Sequence, residues 1–284
     1  MDVELRHLRA LVAIAEEGTI TAAAETLRLT QPALSRTLAQ LEQRVGVRLL
    51  DRSGRRPALT PAGRTLSEHG RVILARVQAA VADAAAVDRP LRLGYSCSVL
   101  GRFTVPLLRS WRREHPQTPL ELRRHDTGAA GLATGEVDVA VLRRPVADAG
   151  LWVEELYWEE RFAALPDNHP LACRPSVTLD QLASGTLALC PGLSTVHLDL
   201  WPPAARPAHT VEVRDVDEWL TVIATGDVFG VAAAGTCESH PHPGVRYVPV
   251  ADAPATTVYL ARPAHPTHPR TGDLLALARQ LTAG

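Results

Sequence analysis

The sequence predicts an α/β protein with an all-α N-terminal domain, one long connecting helix and a larger, two-lobed α/β body. Three observations predict it. Apolar residues recur at helical spacing along residues 4–46 and again along residues 60–90. From Leu91 onward short apolar runs alternate with helical stretches, the pattern of sheets covered by helices. Charge divides along the same line: residues 1–80 hold 12 Arg against 8 Asp and Glu, whereas residues 91–284 hold 17 Arg against 21. A basic head on an acidic body fits a chain whose head alone meets a polyanion.

The N-terminal elements follow in order. Leu5, Leu8, Leu11, Val12 and Ala15 define a first helix over 4–16, closed by Gly18. Thr19 or Thr21 can cap a second helix ending at Leu27, whose face of Ala22, Ala23 and Ala24 lets another helix approach closely. After a tight turn at Arg28-Leu29, Thr30 caps a third helix with Pro32 in its first turn and a seam of Leu34, Leu38, Leu41 and Val45. Helix, short helix, tight turn and helix is the helix-turn-helix order, in which the start of the last helix enters the major groove. Gln31 and Arg36 suit base edges, Gln an adenine and Arg a guanine, while Thr30 and Ser35 suit phosphate oxygens. A plain three-helix bundle with a solvated polar face has the same periodicity. Two short extended runs within 47–63 then flank Arg52, Arg55 and Arg56, with Gly54 permitting a turn. They predict a wing whose arginines reach the DNA backbone or minor groove.

This stretch resembles the LysR-type transcriptional regulators. The matching residues include Leu8, Ala13, Glu17-Gly18-Thr19, Ala22-Ala23-Ala24, Leu27, Thr30 through Arg36, Leu41-Glu42, Gly46, Leu49-Leu50, Arg52 and Leu59 through Gly63. Leu50 and Thr19-Ile20 depart from the family's frequent Phe and Ser-Phe. The resemblance implies DNA contacts at Gln31, Pro32, Ser35 and Arg36, with Arg52, Arg55 and Arg56 in the wing. It also implies a homodimer or dimer of dimers on an interrupted palindrome of double-stranded DNA. The head is then a winged helix-turn-helix domain over 1–63.

Thr60 and Pro61 start the connecting helix and Pro90 ends it. Leu66, Gly70, Ile73, Val77, Ala80, Ala84 and Val87 repeat in steps of four and three, a coiled-coil seam. It resembles the family's dimerising linker helix and sets a second segment, 64–90; packing against the chain's own domain is the alternative.

The body, 91–284, reads as strands over 91–96, 119–125, 137–143, 186–190, 228–234 and 257–262, with helices near 100–115, 178–184, 215–225 and 268–282. Mainly parallel sheets are expected. The segments at 135–141 and 164–172 resemble the family's, and the implied body is periplasmic-binding-protein-like, two lobes around a cleft. In such sheets ligands sit beyond the carboxyl ends of strands. That places a small-molecule effector near Ser96, Cys97 and Ser98, Thr127, Arg143, and Ser194-Thr195. Hydroxyls and amides at a helix start suit an anionic, carboxylate-like group; helix capping by Ser98 and Thr195 is the plainer reading.

Other chemistry is excluded or weak. The four cysteines, Cys97, Cys173, Cys190 and Cys237, are scattered without a C-x-x-C pair. With no charged-then-apolar leader, they indicate a reduced, cytoplasmic protein. No apolar run approaches the roughly 20 residues that span a bilayer, so no membrane partner is expected. Cys97 at a helix start could act as a thiol sensor, but packing is the commoner role of such cysteines. His240-Pro-His242 and His265-Pro-Thr-His268 are interrupted by proline, which argues against a metal site. Nucleophile elbow, Walker loop, dinucleotide-binding glycines and zinc-protease motif are all absent from the sequence, so neither a catalytic residue nor a cofactor is expected. An effector-responsive regulator is the leading reading; an α/β enzyme or a solute-binding protein with an appended helical domain is the alternative.

Overall fold

A computed structural model describes residues 3–51, 57–85, 89–125, 129–146, 150–190 and 196–283. The chain forms two compact units, one from Met1–Val87 with Ala133–Gly135 and the other from Asp88–Leu132 with Glu136–Gly284.

The first unit begins with α1 (Leu5–Glu17), α2 (Ile20–Thr26) and α3 (Gln31–Val45). Gly18 ends α1 with φ 69°, a left-handed cap that suits glycine. Thr19 caps α2, its hydroxyl accepting from Ala22 N at 3.2 Å. Arg28 takes φ 55° in the turn that follows. Leu11, Ala23, Leu34, Leu38 and Leu41 are wholly buried where the three helices meet. The α3 seam is one residue shorter than the sequence predicts: Val45, in the last turn before the Gly46 cap, is 36% exposed. Thr30 stands at the N-cap of α3, but its hydroxyl makes no capping bond; its carbonyl accepts from Ala33 N and Leu34 N instead.

Strands β1 (Leu50–Asp51) and β2 (Ala58–Leu59) pair antiparallel, with Leu50 opposite Leu59. The Glu42 carboxylate on α3 accepts from Leu49 N at 2.7 Å and Leu50 N at 3.1 Å, fixing the base of the wing to that helix. Helix α4 (Pro61–Ala85) follows. Gly63 packs so tightly that a Cβ there would strike the Leu49 carbonyl. A Cβ on Gly70 would sit 3.1 Å from a Val12 methyl. The early seam residues Leu66 and Gly70 therefore pack on the chain's own head, the alternative to dimerisation noted for this helix. Farther along, Ile73 and Val81 are 42% and 66% exposed; Val87 lies outside the described residues.

The second unit contains two five-stranded sheets. The first is built from β3 (Leu91–Tyr95), β4 (Leu120–Arg124), β5 (Val139–Leu142), β6 (Leu151–Glu159) and β12 (Thr256–Pro263), in the order β4-β3-β5-β12-β6. The second is built from β7 (Arg161–Pro166), β8 (Thr186–Leu189), β9 (His209–Glu212), β10 (Val228–Ala233) and β11 (Val245–Pro249), in the order β11-β7-β10-β8-β9. Both sheets are mixed, a correction to the mainly parallel expectation. In the first, β3 runs parallel to β4 and β5 while β12 is antiparallel to β5 and β6. In the second, β8 is parallel to β9 and β10, but β7 is antiparallel to β10 and β11. The reversed strands are β7, which follows the crossing at Glu159 to Arg161, and β12, which returns late to the first sheet; each runs against both of its neighbours.

Helices cover the sheets: α5 (Thr104–Glu114) and α9 (Thr271–Thr282) the first, α6 (Leu179–Leu182), α7 (Val216–Ala224) and α8 (Ala234–Ser239) the second. Trp111 and Leu275 belong to the first lobe's core, and Trp219 and Ile223 to the second's. Asp138, wholly buried just before β5, gathers Arg89, Arg92 and Thr267.

Candidate DNA-reading surface and effector cleft

The sequence folds α3 so that its two faces differ sharply. Leu34, Leu38 and Leu41 have no exposure, whereas Thr30, Gln31, Pro32 and Arg36 are exposed and Ser35 is half-buried. All five polar or proline residues gather at the N-terminal end of the helix, where unpaired backbone N–H groups give a partial positive charge. Among the described residues the Arg36 Nε reaches only the Pro32 carbonyl, at a long 3.4 Å, and the side chain forms no ion pair. It is exposed and can extend toward a duplex. Arg52, Arg55 and Arg56 lie outside the described residues, and so does the tip they were expected to form.

In the second unit the residues expected near the effector separate into two groups. Arg143, just after β5, is buried and holds Glu159 through two hydrogen bonds, Nε to Oε2 at 2.8 Å and Nη2 to Oε1 at 2.9 Å. Its Nη1 donates to the Ser98 carbonyl at 2.7 Å. Tyr157 also donates to Glu159 Oε1, at 3.0 Å. Burial and the adjacent carboxylate push the Tyr157 pKa up, so it stays a donor. Ser96 is half-buried, and Cys97 and Ser98 are buried. They precede a 3-10 turn, Gly101–Phe103, and α5 begins only at Thr104, so they do not themselves start the α-helix. Ser98 is not seen to cap a helix: its Oγ is buried and has no hydrogen-bond partner among the described residues. Thr127, Ser194 and Thr195 lie outside the described residues.

Arg143 also lines an open cleft of about 290 Å³ with Arg144, Arg161, His197, Asp199, Leu200 and Pro254. Arg144 Nη1 lies 2.7 Å from His197 Nε2, and Arg161 Nε donates to the Pro254 carbonyl at 2.8 Å. Burial lowers the Arg161 pKa against the pull of Asp199 and Glu159. With Arg143 paired to Glu159, the Arg144 and Arg161 guanidiniums against the Asp199 carboxylate leave the lining one net positive charge. Sequence reasoning identified only Arg143 of this set; the arginines at 144 and 161 and His197 come from separate segments with no shared motif.

The remaining chemistry is structural. Cys97 is buried and accepts weakly from Thr236 Oγ1 at 3.7 Å, and burial pushes the Cys237 thiol well above the ordinary thiol range. His268 is engaged by Arg270 N and the Arg89 carbonyl. No group of His, Cys, Asp and Glu among the described residues could hold a metal ion. No helix among them is long and apolar enough to cross a membrane.

Comparison with known proteins agrees with this geometry. Residues 5–64 match the family described as bacterial regulatory helix-turn-helix protein, lysR family, and residues 84–283 match the LysR substrate binding domain. The chain is 34% identical over 245 residues to the uncharacterized HTH-type transcriptional regulator YnfL of Escherichia coli, covering 83% of this chain and 80% of that one. It is 30% identical over 273 residues to the HTH-type transcriptional regulator BenM of Acinetobacter baylyi, covering 91% and 90%. Among solved structures, full-length BenM superposes with a TM-score of 0.57 at 27% identity, over 99% of this chain and 97% of that one. CbnR, a LysR family transcriptional regulator, shares the fold with a TM-score of 0.67 at 22% identity, over 99% of each chain.

The chain belongs to the LysR family of bacterial transcriptional regulators. It is a DNA-binding regulator with an effector-binding domain, not an enzyme.

Proposed function

We propose that residues 1–63 read operator DNA through Gln31, Pro32, Ser35 and Arg36, with Thr30 and the wing arginines Arg52, Arg55 and Arg56 on the backbone. The observation that carries this reading is the division of α3 into a buried leucine seam and an exposed polar N-terminal end. Arg36→Ala is expected to weaken binding to a selected duplex by about 1–3 kcal/mol and to relax preference at one base position. In vitro site selection with both proteins checks it; an unchanged consensus at unchanged affinity would remove Arg36 from base reading.

Residues 64–90 pair two subunits into a cytoplasmic homodimer or dimer of dimers, using the exposed part of α4 around Ile73 and Val81. Residues 91–284 bind a small anionic effector in the arginine-lined cleft, with Arg143 as its inner wall; Ser96, Cys97, Ser98, Thr127, Ser194 and Thr195 remain the effector-contact candidates that the sequence suggests. The excess of guanidinium over carboxylate in the cleft supports a carboxylate ligand. Effector binding shifts the population of body packings and so the spacing of the paired heads. Thermal-shift titration with a panel of mono- and dicarboxylates should stabilise the wild type. Arg144→Ala, which leaves the buried pair intact, should weaken the best carboxylate by about tenfold, in line with one charge-assisted hydrogen bond. Equal affinity in the two proteins would exclude this cleft.

A further inference from the structure

On the other side of the Arg143–Glu159 pair a second cavity, about 410 Å³, opens between the lobes. Its chemistry is the reverse of the arginine cleft. Four rings face it, Phe103, Tyr157, Trp158 and Phe162, together with Glu159, Glu160, Glu238 and a single guanidinium, Arg102. Glu159 is already neutralised by Arg143. Among the described residues Glu160 and Glu238 form no ion pair; Glu238 Oε2 only accepts from the Arg102 backbone N–H, at 2.7 Å. The Arg102 guanidinium stacks over the Phe103 ring at 5.0 Å rather than meeting either carboxylate. The uncompensated charge of the lining is therefore one negative unit: two carboxylates against one guanidinium.

Two further features mark the cavity as built to hold something. Beside it the two lobes meet closely at glycines, Gly235 of the lining among them: a Cβ on Gly101 would lie 2.8 Å from the Gly235 Cα. A Cβ on Gly235 would lie 3.1 Å from Ser98 Oγ, the buried hydroxyl that has no partner of its own. At the rim Trp158 is 71% exposed, the most exposed large apolar side chain among the described residues. Aromatic faces beside carboxylates favour an organic cation, because the ring quadrupole and the carboxylate both attract positive charge.

We propose that this cavity is a second ligand site, for an organic ammonium ion with an apolar or aromatic body. The cation lies between Glu160 and Glu238, and the body lies against Phe103, Tyr157, Trp158 and Phe162. The site is independent of the arginine cleft in residues and opposite to it in charge, so either can fail without the other.

The test is isothermal titration of the full chain at pH 7 with 2-phenylethylammonium and benzyltrimethylammonium, and with 3-phenylpropanoate as the anionic isostere. The comparison protein is the double variant Glu160→Gln/Glu238→Gln, which keeps an acceptor for the Arg102 N–H and changes only exposed groups. Wild type is expected to bind at least one ammonium probe, and the double variant to bind it at least tenfold more weakly with an unchanged melting temperature. Trp158→Ala should weaken the same probe without affecting carboxylate binding elsewhere. Failure of both ammonium probes to bind at millimolar concentration, equal binding by wild type and double variant, or competition by 3-phenylpropanoate for the same site would each overturn the proposal.

Discussion

Asp138→Asn should cost about 3–5 kcal/mol of stability at pH 7, the range found when one member of a buried ion pair is removed. The carboxylate has no exposure and gathers a dense set of donors. Both Arg89 terminal nitrogens donate to it at 2.7 Å, the Arg92 backbone and side chain donate at 3.0 and 3.2 Å, and Thr267 Oγ1 donates at 2.6 Å. An amide of the same shape turns half of that acceptor surface into a donor and leaves two guanidiniums, only 11% and 15% exposed, facing it. The melting temperature should fall by roughly 6–20 °C for a body of this size. The pH dependence has a definite sign. Burial alone would raise the Asp138 pKa, but hydrogen bonds from Arg89, Arg92 and Thr267 hold it well below the usual carboxylate range. A depressed pKa contributes stability above the unfolded value of about 3.9 and loses it as pH falls toward the folded one. The gap between wild type and variant should therefore be full at pH 7 and shrink below about pH 4. Melting curves at pH 7 and pH 3 check this; a constant gap would mean the ionised carboxylate is not what stabilises the lobe.

Arg143→Met should also cost about 3–5 kcal/mol, because it strands Glu159, whose side chain is 3% exposed, without its cation. The Ser98 carbonyl loses a donor at the same time. Arg143→Met/Glu159→Gln should recover most of that loss, since an uncharged pair of similar volume no longer buries a lone charge. The stability and carboxylate binding should separate here: the double variant regains its fold but not the guanidinium that lines the cleft. Denaturant melts of the single and double variants, read as a double-mutant cycle, measure the coupling. If the double variant were as unstable as the single one, the cost would come from packing rather than from the stranded carboxylate.

The head was almost fully legible in the sequence because its determinants are local. Gly18 as a left-handed cap, Thr19 as an N-cap and the Leu34-Leu38-Leu41 seam each act within a turn or two of chain. Val45 deviated because the last helical turn runs past the neighbouring helices, which periodicity alone does not register. In the body the sequence showed β3, β4, β5, β8, β10 and β12, most plainly where the strand is buried and uniformly apolar, as in β5 and β10. The β6–β7 segment escaped because its glutamates and half-buried aromatics, Glu154-Glu155 and Glu159-Glu160 among them, break the apolar run. Strand β9 is exposed along its whole length, with Val211 its single apolar residue. Mixed sheet order was hidden for a different reason: β12 enters the first sheet more than a hundred residues after β5, and no local pattern encodes that return. The same holds for the cleft. Arg143 sits at a strand end, where ligand groups are expected, but Arg144, Arg161, His197 and Pro254 meet it only through the crossings between lobes.

Whether the exposed end of α3 reads base sequence is decided by titrating the full chain with a duplex recovered by site selection and with a scrambled duplex of equal length, across a range of salt. The selected duplex should bind at least about 10³-fold more tightly, with both affinities falling steeply as salt rises. Equal affinity for the two duplexes at every salt concentration would contradict base reading by α3.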